Sequence, residues 1–138
     1  MAQIESQIEI NATGDKVWGI ISDLDNEPKF WKGTKSVRNI SKHENTIKRE
    51  ITIAFRDQKC LQTVSLMPKE NIKAVFTKGI IDGSKTMTIT TKGEKTILNV
   101  IWDVKLTGIM GMFTGMVKKH IKNGTEQALQ NIKEAIER

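Results

Sequence analysis

The sequence predicts an α+β fold: a curved seven-stranded antiparallel sheet wrapped around a long C-terminal helix, with two short helices between strands one and two. Three observations predict it. Over residues 109–138 the apolar positions Met110, Phe113, Val117, Ile121, Ala128, Ile132 and Ala135 recur every three or four residues, the period of one helix face. Between residues 35 and 106, six segments alternate apolar and polar residues, with connections so short that neighbours must be antiparallel. One more alternating segment opens the chain and is set apart from those six by a helical stretch. At about 1.5 Å per residue the C-terminal helix would be roughly 45 Å long. An apolar stripe of that length needs a sheet that curls to meet it.

Taken in order, Ile4, Ser6, Ile8 and Ile10 alternate with Gln3, Glu5, Gln7 and Glu9, a strand with one buried and one wet face. Asn11 and Thr13 offer capping oxygens, and Gly14-Asp15 opens a short helix with Val17, Ile20, Ile21 and Leu24 on its apolar face. Asp25 or Asn26 caps a second short helix. Pro28 suits its first turn, where a missing N–H has no helical partner; Phe30 and Trp31 follow, and Gly33 ends it. Residues 35–41 form a weak strand, and His43-Glu44-Asn45 a turn. Ile47, Arg49, Ile51, Ile53 and Phe55 share one face of the next strand, and Arg56-Asp57-Gln58 is a connection. The strand over 60–66 stops at Met67-Pro68, because proline removes a ladder donor. After Glu70-Asn71, Ile72, Ala74 and Phe76 alternate up to Gly79. Asp82-Gly83 reads as a hairpin turn. Met87 and Ile89 then alternate with threonines, and Lys92-Gly93-Glu94 turns the chain. The last strand, 96–106, sends Leu98, Val100, Trp102, Val104 and Leu106 to one face. The first strand is expected to close the sheet beside the last.

Composition narrows the class. The 138 residues are expected to form one domain, 1–138, with 28% charged and 38% hydrophobic residues, a folded rather than a disordered balance. The opening MAQIESQIEI is polar and acidic where a secretory signal is apolar, and no run approaches the roughly 20 apolar residues of a membrane span. A cytoplasmic location is expected. The single cysteine, Cys60, excludes an internal disulfide and a cysteine-based zinc site. The net charge of +6 is spread among interspersed lysines and acids and reads as solubilising.

Particular residues carry a resemblance. Ile10-Asn11-Ala12, Lys16-Val17-Trp18, Ser22-Asp23-Leu24 and Pro28-Lys29-Phe30-Trp31 at the front are similar to the opening helical pair of the START-like superfamily. Phe76-Thr77-Lys78-Gly79 resembles its fifth strand, and residues 125–133 (TEQALQNIK) its closing helix. This helix-grip group includes plant pollen allergens, polyketide cyclases and dehydratases, and coenzyme-Q-binding proteins. The resemblance implies a cavity between sheet and long helix for a hydrophobic or amphipathic molecule. Enzymes of the group place catalytic polar residues inside it. No motif here carries over as a catalytic set, and fold alone does not carry function.

The expected lining of such a cavity is Ile51, Ile53, Val64, Phe76, Met87, Val100, Trp102, Phe113, Val117 and Ile121. Phe30 and Trp31, with the methionines Met110, Met112 and Met116, are placed at an adaptable mouth. Gly124 interrupts the helix stripe; it either thins the helix for a ligand or packs closely on a bulky strand residue such as Trp102. Arg49 lies in phase with Ile47 and Ile51. Facing inward it could bind a carboxylate or phosphate head group, but snorkelling outward near the strand end is the commoner arrangement. Ser6 and Asn131 are further polar groups on apolar faces. His43 and His120 lack the partners of a nucleophilic triad or a metal site, so no catalytic residue, metal or cofactor is expected. The run Lys118-Lys119-His120-Ile121-Lys122 reads as a solvated face, with transient contact to a membrane surface as its sharper alternative. Nucleic-acid binding is not expected, since no aromatics interleave the basic residues on an exposed face. No pattern sets an oligomeric state.

The function expected is therefore a binding or carrier protein for a hydrophobic small molecule. A small cyclase, dehydratase or hydrolase of the same fold is the second possibility. It needs at least two polar groups converging in the cavity. An accessory protein with a vestigial cavity and a protein partner is the third, and it predicts a filled core.

Overall fold

The computed structural model describes residues 2–138, and the side chains of all of these except Ala2, Ile109 and Met110. The expectation for Met110 thus lies outside the described residues. Strand β1 (Ala2–Ile10) leads into helix α1 (Gly14–Ile21), whose Thr13 hydroxyl accepts the Lys16 N–H as an N-cap. A 3₁₀ turn (Leu24–Asn26) and helix α2 (Glu27–Phe30, with Pro28 in its first turn) complete the helical pair. Strands β2 (Thr34–His43), β3 (Thr46–Ile53), β4 (Lys59–Met67), β5 (Asn71–Lys78), β6 (Ile81–Lys92) and β7 (Lys95–Leu106) follow, then helix α3 (Thr114–Glu137). All neighbours are antiparallel and the order is β1-β7-β6-β5-β4-β3-β2, so the first strand does pair with the last. This is the helix-grip arrangement. No helix among the described residues is long and apolar enough to cross a membrane.

Three local expectations are corrected. The long helix begins at Thr114 rather than near residue 109, so its 24 residues span about 36 Å. Ahead of it, Gly108–Phe113 form a 3₁₀ segment entered through Gly108 at φ +61°. The Thr114 hydroxyl donates to the Gly111 carbonyl at 2.8 Å and accepts the Leu106 N–H at 3.2 Å, fixing this joint to the end of β7. Second, Asp82-Gly83 is not a turn. The chain reverses at Gly79-Ile80, and Gly83 lies within β6, opposite Phe76 on one side and Val104 on the other. Its φ of +127° and the closeness of the Asp103 carbonyl leave no room for a β-carbon. Third, two elements end early: β3 at Ile53, so that Phe55 enters a 3₁₀ turn (Phe55–Asp57), and α2 at Phe30, so that Trp31 follows it in extended conformation instead of lying within a turn that runs to Gly33.

The interior is solid at one end and hollow at the other. The second half of α3 buries Thr125, Ala128, Leu129 and Ile132. Ala128, Leu129 and Ile132 pack with Ile10, Val17, Val64, Met87, Leu98 and Val100. Lys122 near the middle of the helix and Lys133 in its second half donate to the Glu5 and Glu9 carbonyls, which ties the helix to β1. The first half of α3 presents Val117 and Ile121, only half-buried, toward a second cluster of Ile51, Ile53, Cys60, Phe76, Ile81, Val104 and Leu106. There helix and sheet stand apart.

Candidate functional site

The gap is a cavity of about 600 Å³. Ile51 and Ile53 of β3, Phe76 of β5, Ile81 and Lys85 of β6, and Trp102 and Leu106 of β7 form its sheet wall. Val117, Ile121, Gly124 and Thr125 of α3 form the opposite wall. Trp31 and Glu27, both well buried, line its closed end, and Thr34 borders it too. Phe55, Phe113 and Met116 border the cavity and are 40%, 43% and 65% exposed, which marks where it reaches solvent. Met112, beside them in sequence, is 80% exposed.

Aromatic packing shapes the closed end. The Trp31 and Trp102 rings meet edge to face with centroids 6.1 Å apart, and Phe76 stacks on Trp102 at 6.3 Å. Trp102 Nε1 donates to Thr125 Oγ1 at 2.9 Å, and Thr125 in turn donates to the Ile121 carbonyl. That chain of bonds holds α3 to β7 at the point where the hollow ends.

Beside these aromatic rings lies a buried charged cluster, of which Glu27, Gln62 and Lys85 border the cavity. Alternation along β3 sends Arg49 inward with Ile47 and Ile51, and its side chain is 1% exposed. The expectation that it snorkels outward is thereby corrected: it sits mid-strand with its neighbours covered. Arg49 Nη2 donates to Glu27 Oε1 at 2.8 Å, and Arg49 Nε donates to Oε1 of Gln62, its register partner on β4, at 2.9 Å. Thr34 Oγ1 donates to Glu27 Oε2 at 3.3 Å. Glu27 is available because it opens α2, ahead of Pro28. Lys85, 6% exposed, projects from β6 so that its Nζ lies 3.7 Å from the Trp31 ring centroid and 5.2 Å from that of Trp102. Among the described residues Lys85 makes no hydrogen bond and no ion pair, and Arg49 Nη1 is buried without a partner.

These groups perturb one another. Burial by itself would raise the Glu27 carboxyl, but Lys85 and Arg49, with hydrogen bonds from Arg49 and Thr34, hold it below its ordinary 4.5. Burial lowers Lys85 from 10.5, and Arg49 lowers it further, against an opposing pull from Glu27. Burial raises the Cys60 thiol, so this 1%-exposed side chain acts as a packing group. Among the described residues no group of His, Cys, Asp and Glu could hold a metal ion.

Of the residues expected to contact a ligand, Trp31, Ile51, Ile53, Phe76, Trp102, Phe113, Val117, Ile121 and Gly124 border the large cavity. Phe30, Arg49, Val64 and Met87 border a separate void of about 20 Å³, the size of one water, which shares Glu27, Trp31 and Lys85 with the larger one. Val100 borders neither, because Leu129 and Ile132 belong to the core cluster that fills its end of the sheet. A β-carbon at Gly124 would meet nothing within 4 Å, so close packing on Trp102 is not the reason for that glycine. Ser6 accepts from Lys122 and Asn131 donates to the Phe30 carbonyl; both are satisfied by the protein itself. His120 borders the cavity but is exposed, and His43 ends β2. Sequence reasoning missed Glu27, Gln62, Thr34, Thr125 and Lys85. For Lys85 a signal existed: it is in phase with Ile81, Met87 and Ile89 once β6 is run back through Gly83.

The fold has clear relatives. A Thermus thermophilus protein superposes with a TM-score of 0.85 at 15% identity, covering 98% of this chain and 97% of its own. The Zhui aromatase/cyclase of a Streptomyces species gives 0.82 at 15% identity, with 99% and 94% covered. A START superfamily protein of Mycobacterium smegmatis gives 0.80 at 17%, with 98% and 97% covered. At such identities the likeness is one of fold. No curated protein sequence matches significantly. The family model described as polyketide cyclase / dehydrase and lipid transport matches residues 1–137, and the chain belongs to that family.

Proposed function

We propose that the protein binds and carries a hydrophobic small molecule in the cavity between α3 and the sheet. The observation that carries this reading is the hollow itself: about 600 Å³, walled by Ile51, Phe76, Trp102, Val117 and Ile121. Sites for drug-sized ligands run to roughly 300–1,000 Å³ and have mainly apolar walls with a few polar groups. Binding then draws on buried apolar area at about 25 cal/mol per Å², less the ordering terms. Gly124, with open space where a side chain would stand, keeps the helix wall thin. Exposed Met112 and Met116, followed by Lys118 and Lys119, support exchange of the ligand at a membrane surface. A filled core, expected of a purely accessory protein, is not what the interior contains.

The test is native mass spectrometry of freshly purified protein, with extraction and identification of any guest. In parallel, fatty acids, quinones and polyketides are screened by thermal unfolding. A ligand at a hundred times its Kd adds about 2.7 kcal/mol of stability. Protein that emerges empty and is shifted by none of these compounds overturns the reading. A cyclase or dehydratase is the second reading, favoured by Glu27 and Lys85, a carboxylate and an amine that both border the cavity. It is separated by whether the guest is recovered unchanged after incubation.

A further inference from the structure

We infer that the carried molecule bears a single carboxylate and that Lys85 is its anchor, with the head group at the closed end and the apolar tail toward Phe113 and Met116. This rests on the carrier reading above and adds the chemistry of the guest.

Lys85 is built into the cavity wall without an ion pair of its own: the carboxylate it feels, Glu27, is hydrogen-bonded to Arg49 instead. Lys85 is 6% exposed and borders the cavity. Its near neighbours are two indole faces, 3.7 and 5.2 Å from the ring centroids. The carboxylate that acts on it, Glu27, is already engaged at both oxygens, by Arg49 and by Thr34. An ammonium in such a place is stabilised by the rings, yet its three N–H donors have no acceptor among the described residues.

Charge counting gives the same answer. Arg49 and a protonated Lys85 bring two positive charges and Glu27 one negative, a surplus of one in a nearly dry cluster, and that surplus is what disfavours the Lys85 proton until an anion enters. A monoanion cancels that surplus. A phosphate monoester, at about −1.5 to −2, exceeds it and faces the Glu27 carboxylate as well. A neutral alcohol or ester can accept a hydrogen bond but leaves the surplus in place. Gln62 also borders the cavity; its carbonyl is taken by Arg49, which leaves its amide N–H groups as further donors on that wall. The remaining walls, Ile51, Ile53, Val117 and Ile121, suit an alkyl or polycyclic tail.

The experiment compares decanoate, decanol, methyl decanoate and decyl phosphate by calorimetric titration at neutral pH, on the wild type and on Lys85→Met and Lys85→Gln. Wild-type protein is expected to bind decanoate about tenfold or more tighter than the three others. Both neutral variants are expected to lose that preference, decanoate falling to within about twofold of decanol on the same variant, while Lys85→Arg restores the preference. Equal affinity for decanoate and decanol on the wild type overturns the inference and leaves the carrier reading standing. So does a preference that survives in both neutral variants, or tighter binding of decyl phosphate. Failure of all four probes to bind overturns the carrier reading and the inference with it.

Discussion

Replacing Glu27 by glutamine isolates the charge of the buried cluster from its shape. The amide keeps an acceptor at Oε1 for Arg49 Nη2, now 2.8 Å away, and the Arg49–Gln62 bond is untouched. What disappears is the negative charge that faces two buried cations, Arg49 and Lys85. Removing one partner of a buried pair costs about 3–5 kcal/mol. The surviving hydrogen bonds put Glu27→Gln at the lower end, near 3 kcal/mol, or roughly a 10 °C fall in Tm for a chain of 138 residues. Urea unfolding followed by tryptophan fluorescence reads this as a lower midpoint with the slope unchanged. Adding Lys85→Met removes one of the two cations, so the double variant is expected to recover at least about 1 kcal/mol relative to the sum of the singles. The pH dependence has a fixed sign. The folded state holds Glu27 below 4.5, so its contribution is complete above 4.5 and fades as pH falls through the folded value. The gap between wild type and Glu27→Gln is therefore wide at neutral pH and closes in acid. A neutral-pH gap under about 0.5 kcal/mol, or one that persists unchanged into acid, refutes the reasoning.

Further predictions follow from the same packing. Gly83→Ala puts a methyl against the Asp103 carbonyl at φ +127° and is expected to cost at least about 3 kcal/mol, read as lost soluble yield and a lowered Tm; a neutral result would mean the backbones are not so close. Thr125→Val leaves the Trp102 indole N–H without its acceptor and is expected to cost about 1–3 kcal/mol in urea unfolding. Gly124→Ala is expected to gain about 1 kcal/mol from helix propensity, since nothing lies within 4 Å of the new methyl. Gly124→Phe fills the hollow and is expected to abolish uptake of the guest; undiminished binding in the titration would place the guest elsewhere.

The parts of the fold that sequence reveals are those with strong periodicity. The alternation of β1, β3 and β7 and the stripe of α3 each report a single buried face, and the pairing of β1 with β7 follows from them. Boundaries set by glycine were harder. Asp82-Gly83 has the composition of a tight turn, but the glycine is there for a close backbone approach inside a strand. That misreading also hid Lys85, because a strand begun after Gly83 gives no reason to ask which face residue 85 occupies. Arg49 was visible as an inward-phased cation, yet its partner Glu27 stands 22 positions away and on a different element. A single chain carries no local signal for such a pairing. The division of the interior into a filled half and a hollow half was likewise invisible, since Val100 and Trp102 follow the same alternation on one strand and meet different surroundings.

A hollow of this size has to be explained energetically as well as described. If it behaved as an empty void at about 24 cal/mol per Å³, 600 Å³ would cost some 14 kcal/mol. That is as large as the whole stability of a typical domain, about 5–15 kcal/mol. Solvent reaches the hollow past Phe55, Phe113 and Met116, and so relieves part of that cost. Water against Ile51, Phe76, Val117 and Ile121 finds few hydrogen-bond partners, so these walls gain when an apolar tail replaces it. At the closed end the reverse holds: Lys85 and Glu27 favour polar contact. The two ends thus match the guest proposed above, greasy over most of its length and charged at one tip, and the first half of α3 stands off the sheet where that guest would lie.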